Sequence, residues 1–156
     1  MCRMLYLSLG SNLGNRHYFL QEAIARLAQA IAPVYVVSNF VETDPWGFDS
    51  SHAFLNAVVA IKTNFSAEKI LEITQHIERE LGRNYKRKHG EVYKDRIIDI
   101  DILMLGDLVF HSPYLLIPHP YMHVRDFVLI PFAEIAPDIV HPLNGFKISQ
   151  LLKKLD

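Results

Sequence analysis

The sequence predicts an α+β fold of the ferredoxin-like split βαβ kind, a mostly antiparallel sheet with helices packed on it. Short apolar or β-branched runs recur at 4–9, 34–41, 53–61 and 97–105, most of them bounded by turn residues. Two intervening stretches, from about 15 to 31 and 66 to 81, carry apolar residues at helical spacing instead. The resulting order is strand, helix, strand, strand, helix, strand. No linker or compositional shift divides the 156 residues, so 1–156 are expected to form a single domain.

The first strand, Met4 to Leu9, runs into the turn residues Gly10-Ser11-Asn12. Phe19, Leu20, Ala23, Ile24, Leu27 and Ile31 then mark one helix face, and Pro33 ends that helix. Val34 to Val41 reads as a strand and Asp44-Pro45-Trp46-Gly47-Phe48-Asp49 as a loop. Ala53 to Ile61 is a further strand. Ser66 is a fitting N-cap for a helix with Ile70, Ile73, Ile77 and Leu81 on one face and Gly82 as its stop. After a basic segment, Ile97 to Leu105 returns to β-branched composition, and Leu108 to Phe110 is expected to pair back onto it as a hairpin. Pro118 and Pro120 bracket a rigid turn, and short helices are expected within Val124–Ala133 and near Ile148–Leu155.

Composition narrows the function. Half the residues are hydrophobic and 21% are charged, which is ordinary for a globular protein and wrong for a disordered chain or a repeat array. A formal charge of −1 makes no case for a nucleic-acid or membrane surface. Six of the 16 Lys and Arg nevertheless fall between Arg83 and Arg96, a local cationic stretch suited to a small anionic ligand or simply to solvent. The single cysteine, Cys2, leaves no intramolecular disulfide and agrees with a reducing cytoplasm. No run approaches the roughly 20 apolar residues of a membrane span, and Ser8, Gly10 and Ser11 break the first apolar run too early for a signal peptide. A cytoplasmic protein is expected, and a monomer, since no coiled-coil pattern appears.

The most informative segment is Arg96-Ile97-Ile98-Asp99-Ile100-Asp101-Ile102-Leu103. On a strand Asp99 and Asp101 share one face, opposite Ile98, Ile100 and Ile102. Two neighbouring carboxylates repel, and a hard divalent cation relieves that repulsion. Magnesium, which takes one or two carboxylates plus water and phosphate oxygens, fits the pattern. A wet face on an edge strand would give the same spacing. There is no G-x-x-x-x-G-K-[ST] and no G-x-G-x-x-G, so a nucleotide would be held by side chains and metal rather than a glycine cradle. Without C-x-x-C or H-E-x-x-H a zinc site is not expected. His119 stands out among the histidines because prolines fix the backbone on both sides, with Arg125 close behind.

Five ordered segments resemble the 6-hydroxymethyl-7,8-dihydropterin pyrophosphokinase family: Leu9-Gly10-Ser11-Asn12-Leu13-Gly14, Thr43-Asp44-Pro45-Trp46-Gly47, Phe54-Leu55-Asn56-Ala57, Arg96 through Asp101, and Pro118-His119-Pro120 through Arg125 and Phe127. Phe132-Ala133-Glu134-Ile135-Ala136-Pro137 is similar to the family as well. The resemblance implies diphosphate transfer from ATP to the hydroxymethyl group of a reduced pterin in folate biosynthesis. It implies two magnesium ions on Asp99 and Asp101, and phosphate contacts from Arg96, His119 and Arg125. Gln75, Glu78 and Ile102 match positions near the nucleotide. Thr43, Pro45, Trp46 and Gly47 would line the pterin pocket, with Asn56 reading the ring edge and Phe54 and Phe127 sandwiching the ring. Taken singly, Phe54, Phe127 and Trp46 also suit an ordinary core. Asn56 in an apolar strand needs a polar partner, and a ligand is one candidate.

Two departures from the family pattern stand in the sequence. The segment from Arg83 to Arg96 is a few residues longer than in well-known members, and Tyr93-Lys94-Asp95-Arg96 replaces a common W-G-P-R. Phe54 stands where a tyrosine is common. A noncatalytic nucleotide-binding relative is the alternative to an enzyme. An RNA-binding module would need basic and aromatic residues interleaved on central strands, where this chain has two carboxylates.

Overall fold

The computed structural model describes residues 1–44, 52–82 and 97–156. At its centre lies β1 (Arg3–Ser11), flanked antiparallel by β4 (Phe54–Thr63) and β5 (Asp99–Leu105). Two short strands, β2 (Val34–Val37) and β3 (Val41–Thr43), pair with successive parts of β4's outer side. The main path of the sheet is therefore β2-β4-β1-β5.

Alternation along β1 divides the core into two layers. Leu5, Leu7 and Leu9 are fully buried on one face, where α1 (Arg16–Ala30) and α2 (Ala67–Glu80) cover them with Leu20, Ala23, Leu27, Ile70 and Ile77. On the other face Tyr6 packs at 4.9 Å on Phe132 of α3 (Asp126–Ile135), in a cluster completed by α4 (Ile148–Lys153). The register of β5 against β1 slips after Tyr6, so one extra β5 residue is accommodated. Leu103 and Met104 consequently both join the α3 side, while Ile102 and Leu105 face α1 and α2. Among the described residues no helix is long and apolar enough to cross a membrane.

The helix boundaries follow the expected local chemistry. Asn15 caps α1 by accepting the Tyr18 N–H at 3.1 Å, and Ser66 caps α2 by accepting the Lys69 N–H at 3.2 Å. Gly82, at φ +110°, ends the turn after α2.

Two expectations need correction. The single strand expected over 34–41 is divided, because Ser38 replaces the ladder with its side chain: its Oγ accepts the Val58 N–H at 2.9 Å while its own N–H donates to the Val58 carbonyl. Residues 108–110 do not pair back onto β5. The chain reverses at Gly106 (φ +55°), and β6 (Phe110–His111) pairs instead with β7 (Leu116–Ile117). The outer edge of β5 is already taken, by the Glu78 carboxylate on the Ile100 N–H and by the His119 N–H on the Leu103 carbonyl.

Beyond α3, a turn is organised around His141, which is buried. Its Nδ1 accepts the N–H groups of Leu143 and Asn144 at 3.2 and 3.3 Å. Burial, and secondarily the neighbouring His123, hold its pKa below the ordinary 6.5. The folded protein therefore binds fewer protons than the unfolded chain as pH falls below that value, so acid favours unfolding. We expect the unfolding midpoint in urea to drop between pH 7.5 and 5.5, ahead of carboxylate titration. The drop should flatten in His141→Asn, which keeps an acceptor for the turn but does not titrate there. Parallel pH profiles for the two proteins would remove His141 as the cause.

Candidate active site

Where α3 no longer covers the sheet, β1 presents only Ser8 and Gly10, and these form the floor of a cleft. Gly10 lies opposite Asn56 on β4 and Asp99 on β5, and Ser8 opposite Val58 and Asp101. A Cβ at Gly10 would stand 3.2 Å from Asn56 Oδ1 and 3.4 Å from Phe54 Cδ1. The bare floor therefore depends on glycine at this position.

One wall comes from β3 and β4. Asn56 is buried, and its Nδ2 donates to Thr43 Oγ1 at 2.7 Å and to the Val41 carbonyl at 3.3 Å. This network orients the amide so that Oδ1 faces the Gly10 side. Thr43, Asp44 and half-buried Phe54 complete the wall. The opposite wall is the half-buried pair Asp99 and Asp101 of β5. Arg125 and Phe127, at the entry to α3, close one end. Arg125 is only 2% exposed, and its guanidinium carbon lies 5.4 Å from the ring centre of Tyr121 and 5.5 Å from that of Phe127. A cation between aromatic faces is retained at lower desolvation cost, here on the same cleft as two carboxylates.

His119 stands beside the carboxylate wall. Its backbone N–H bonds the Leu103 carbonyl at 2.9 Å, at the bulge of β5. Its Nδ1 accepts the Tyr121 N–H at 3.1 Å, which places the proton of the neutral ring on Nε2. Nε2 lies 4.0 Å from Asp101 Oδ2. On the far edge of β5, Glu78 is 6% exposed and its Oε2 accepts the Ile100 N–H at 2.8 Å, between the two aspartates in sequence.

The structure thus gathers Thr43, Phe54, Asn56, Asp99, Asp101, Arg125 and Phe127 at one cleft, with His119 adjacent. Gln75 and Glu78 are on α2, outside the cleft lining, and Ile102 is buried on the opposite face of β5. Pro45, Trp46, Gly47 and Arg96, with the rest of the basic stretch from 83, lie outside the described residues. Ser8, Gly10, Asp44 and Tyr121 were not anticipated as site residues. The signal for the first two was present: small residues alternate with the leucines of Leu7-Ser8-Leu9-Gly10.

Asp99 and Asp101 could hold a metal. Among the described residues no group of three or more His, Cys, Asp or Glu side chains gathers as a cage. An oxygen-only pair that leaves positions for water and phosphate is the arrangement magnesium accepts.

Comparison with known proteins bears on this geometry. The model of the 7,8-dihydro-6-hydroxymethylpterin-pyrophosphokinase family matches residues 6–137. The 2-amino-4-hydroxy-6-hydroxymethyldihydropteridine pyrophosphokinase of Porphyromonas gingivalis is 51% identical over 140 residues, covering 89% of this chain and 94% of that protein. Its namesake in Bacillus subtilis is 41% identical, with 89% and 81% covered. The crystal structure of wild-type Plasmodium falciparum HPPK-DHPS superposes with a TM-score of 0.75 over 99% of this chain at 16% identity, which shows the shared fold. This chain spans 45% of that longer one.

The Glu78 contact gives a test of how β5 is held. Replacing Glu78 with Ala leaves the Ile100 N–H without its carboxylate, and we expect a loss of about 1–3 kcal/mol in urea unfolding. Glu78→Gln keeps an acceptor and should recover most of that loss. Equal destabilisation by both would show that the charge, rather than the hydrogen bond, holds the edge.

Proposed function

We propose that the chain, which belongs to the 7,8-dihydro-6-hydroxymethylpterin-pyrophosphokinase family, transfers a diphosphate from ATP to the hydroxymethyl group of 6-hydroxymethyl-7,8-dihydropterin in folate biosynthesis. The observation that carries this reading is the single cleft in which an aromatic and amide wall faces a carboxylate pair beside a buried arginine.

In this reading the flat ring lies on the β3–β4 side. Asn56 Oδ1 accepts N–H groups of the ring edge, since its Nδ2 is engaged by Thr43 and Val41. Phe54 and Phe127 supply stacking surface, and Pro45, Trp46 and Gly47 complete the pocket. The ATP phosphates lie on the β5 side, contacted by Arg96, Arg125 and His119 Nε2–H; the resemblance also assigns Gln75, Glu78 and Ile102 to the nucleotide, although none of the three lines the cleft. Asp99 and Asp101 would hold two magnesium ions, whose charge offsets that developing on the phosphates. The hydroxymethyl oxygen attacks the β-phosphorus in line, the bond from that phosphorus to the α,β-bridging oxygen breaks, and AMP leaves with the electron pair. The hydroxyl proton passes to solvent. The Nδ1 of His119 already accepts a backbone N–H, so that ring is arranged to donate at Nε2 rather than to remove the proton. Catalysis rests on positioning and electrostatics.

The same reading includes a ferredoxin-like split βαβ assignment, supported by the path β2-β4-β1-β5 with α1 and α2 on one face. It also includes one domain over 1–156 and a monomeric, cytoplasmic enzyme with no nucleic-acid or membrane partner, in keeping with the formal charge of −1.

The direct test incubates the protein with ATP, magnesium and the reduced pterin. AMP and pterin diphosphate should form in equal amounts, and only with magnesium. ATP binding without product would favour the noncatalytic alternative. Asp101→Ala should lower turnover by about 10³-fold or more with unchanged circular dichroism, and full turnover at saturating magnesium would exclude Asp101 as a ligand. Phe127→Ala should weaken pterin binding about tenfold and leave ATP affinity within about twofold, as read by calorimetry. Equal pterin affinity would make that ring part of the core.

A further inference from the structure

The turn Gly10-Ser11-Asn12-Leu13-Gly14 and the start of α1 contribute only Gly10 to the cleft, yet their side chains reach across the sheet end. Asn12 is 3% exposed, and its Nδ2 donates to the His52 carbonyl at 3.2 Å. One guanidinium nitrogen of Arg16 donates to the Ala53 carbonyl at 2.9 Å, and the other bonds Glu42 Oε2 at 3.0 Å. A single short segment therefore holds both chain ends that flank residues 44–51, Glu42 on β3 and His52–Ala53 entering β4.

We infer that Arg16, assisted by Asn12, is a positioning residue for the ring-binding wall: it clasps β3 to the start of β4 and so fixes Thr43 and Phe54. Thr43 follows Glu42 and Phe54 follows Ala53, and the two are register partners at the open end of a ladder only three pairs long. A ladder that short frays unless its end is tied. The tie bears on Asn56 as well, because Thr43 Oγ1 takes the hydrogen bond that orients its amide.

The residue type supports this role. Arg16 is the first residue of α1, where a cation opposes the helix dipole, and no acidic residue occupies that first turn. A locally unfavourable choice points to a demand from elsewhere in the fold. Gly14, at φ +67° and with its missing Cβ 3.1 Å from Phe19, allows the tight turn that delivers Arg16 to this place. The Arg16 and Glu42 side chains are 28% and 59% exposed, so the pair contributes little to global stability. Its value lies in where it holds the wall.

This inference rests on the cleft binding a reduced pterin, and the test separates the two. Hydrogen exchange on the ligand-free protein reads the clasp alone: Arg16→Ala should speed exchange selectively at the β3 amides and the 54–56 end of β4. Calorimetry then reads its consequence. The reduced pterin should bind about tenfold more weakly, ATP within about twofold, and the melting temperature should stay within about 4 °C. Glu42→Ala should act in the same direction, and the double variant should fall short of the sum of the single effects. Arg16→Lys, which cannot bond both partners as a planar fork does, should be intermediate and gives a second reading if the alanine variant fails to fold. Unchanged exchange overturns the clasp. Faster exchange with unchanged pterin affinity, or equal losses of pterin and ATP, makes the contact merely structural. A wild-type protein that does not bind the pterin overturns the functional reading instead, whatever the exchange data show.

Discussion

Everything at the site depends on the alternation of side chains along β1. Leu5, Leu7 and Leu9 are all fully buried beneath α1 and α2, and a slip of one residue would turn all three to the other face. That penalty fixes the strand's register. The remaining face is then Tyr6, Ser8 and Gly10, in order of decreasing size. α3 and α4 cover the Tyr6 end through Phe132, and the small end is left as a floor. A strand with large residues on both faces would need full cover on both sides, and no cleft would remain.

The periodic elements were legible because their signals are local. The apolar run of β1, the Ser66 cap and the i, i+3, i+4 pattern of α2 each identify an element without reference to the rest of the chain. Asp99 and Asp101 fall on the face opposite Ile98, Ile100 and Ile102, as period two requires. What was not legible depends on contacts distant in sequence. The break at Ser38 is decided by Val58, and the pairing of β6 by Glu78 and His119 already occupying the edge of β5. A propensity scale cannot see an occupied edge. The tautomer of His119 and the orientation of Asn56 likewise follow from individual hydrogen bonds, one for the ring and two for the amide, that no spacing implies.

The two neighbours of β1 supply different chemistry to one floor. β4 brings an aromatic ring and an amide held by β3, which suit a flat ligand with donor edges. β5 brings two carboxylates, held between β1 on one side and the Glu78 and His119 contacts on the other. A strand fixed along both edges has little freedom to relax when carboxylates repel. The repulsion is then balanced by opposite charge, and Arg125 is the cation lining the same cleft among the described residues. Its contacts with the Tyr121 and Phe127 rings hold it, buried, at one end of that cleft without a full hydration shell.

Positions that break a local rule mark where the fold serves the cleft. Glycine weakens a central strand, yet any side chain at Gly10 would meet Asn56 and Phe54. Arginine is poorly suited to the first turn of a helix, yet Arg16 reaches Glu42 and Ala53 from there. A buried carboxylate is costly, yet Glu78 meets the one backbone donor between the two aspartates. All three act at or around the end of the sheet that α3 leaves open, and none adds to either hydrophobic layer. The core could keep its packing with more ordinary residues at these places. The cleft could not keep its floor, its wall or its carboxylate edge, and that asymmetry separates the residues that make the fold from those that make the site.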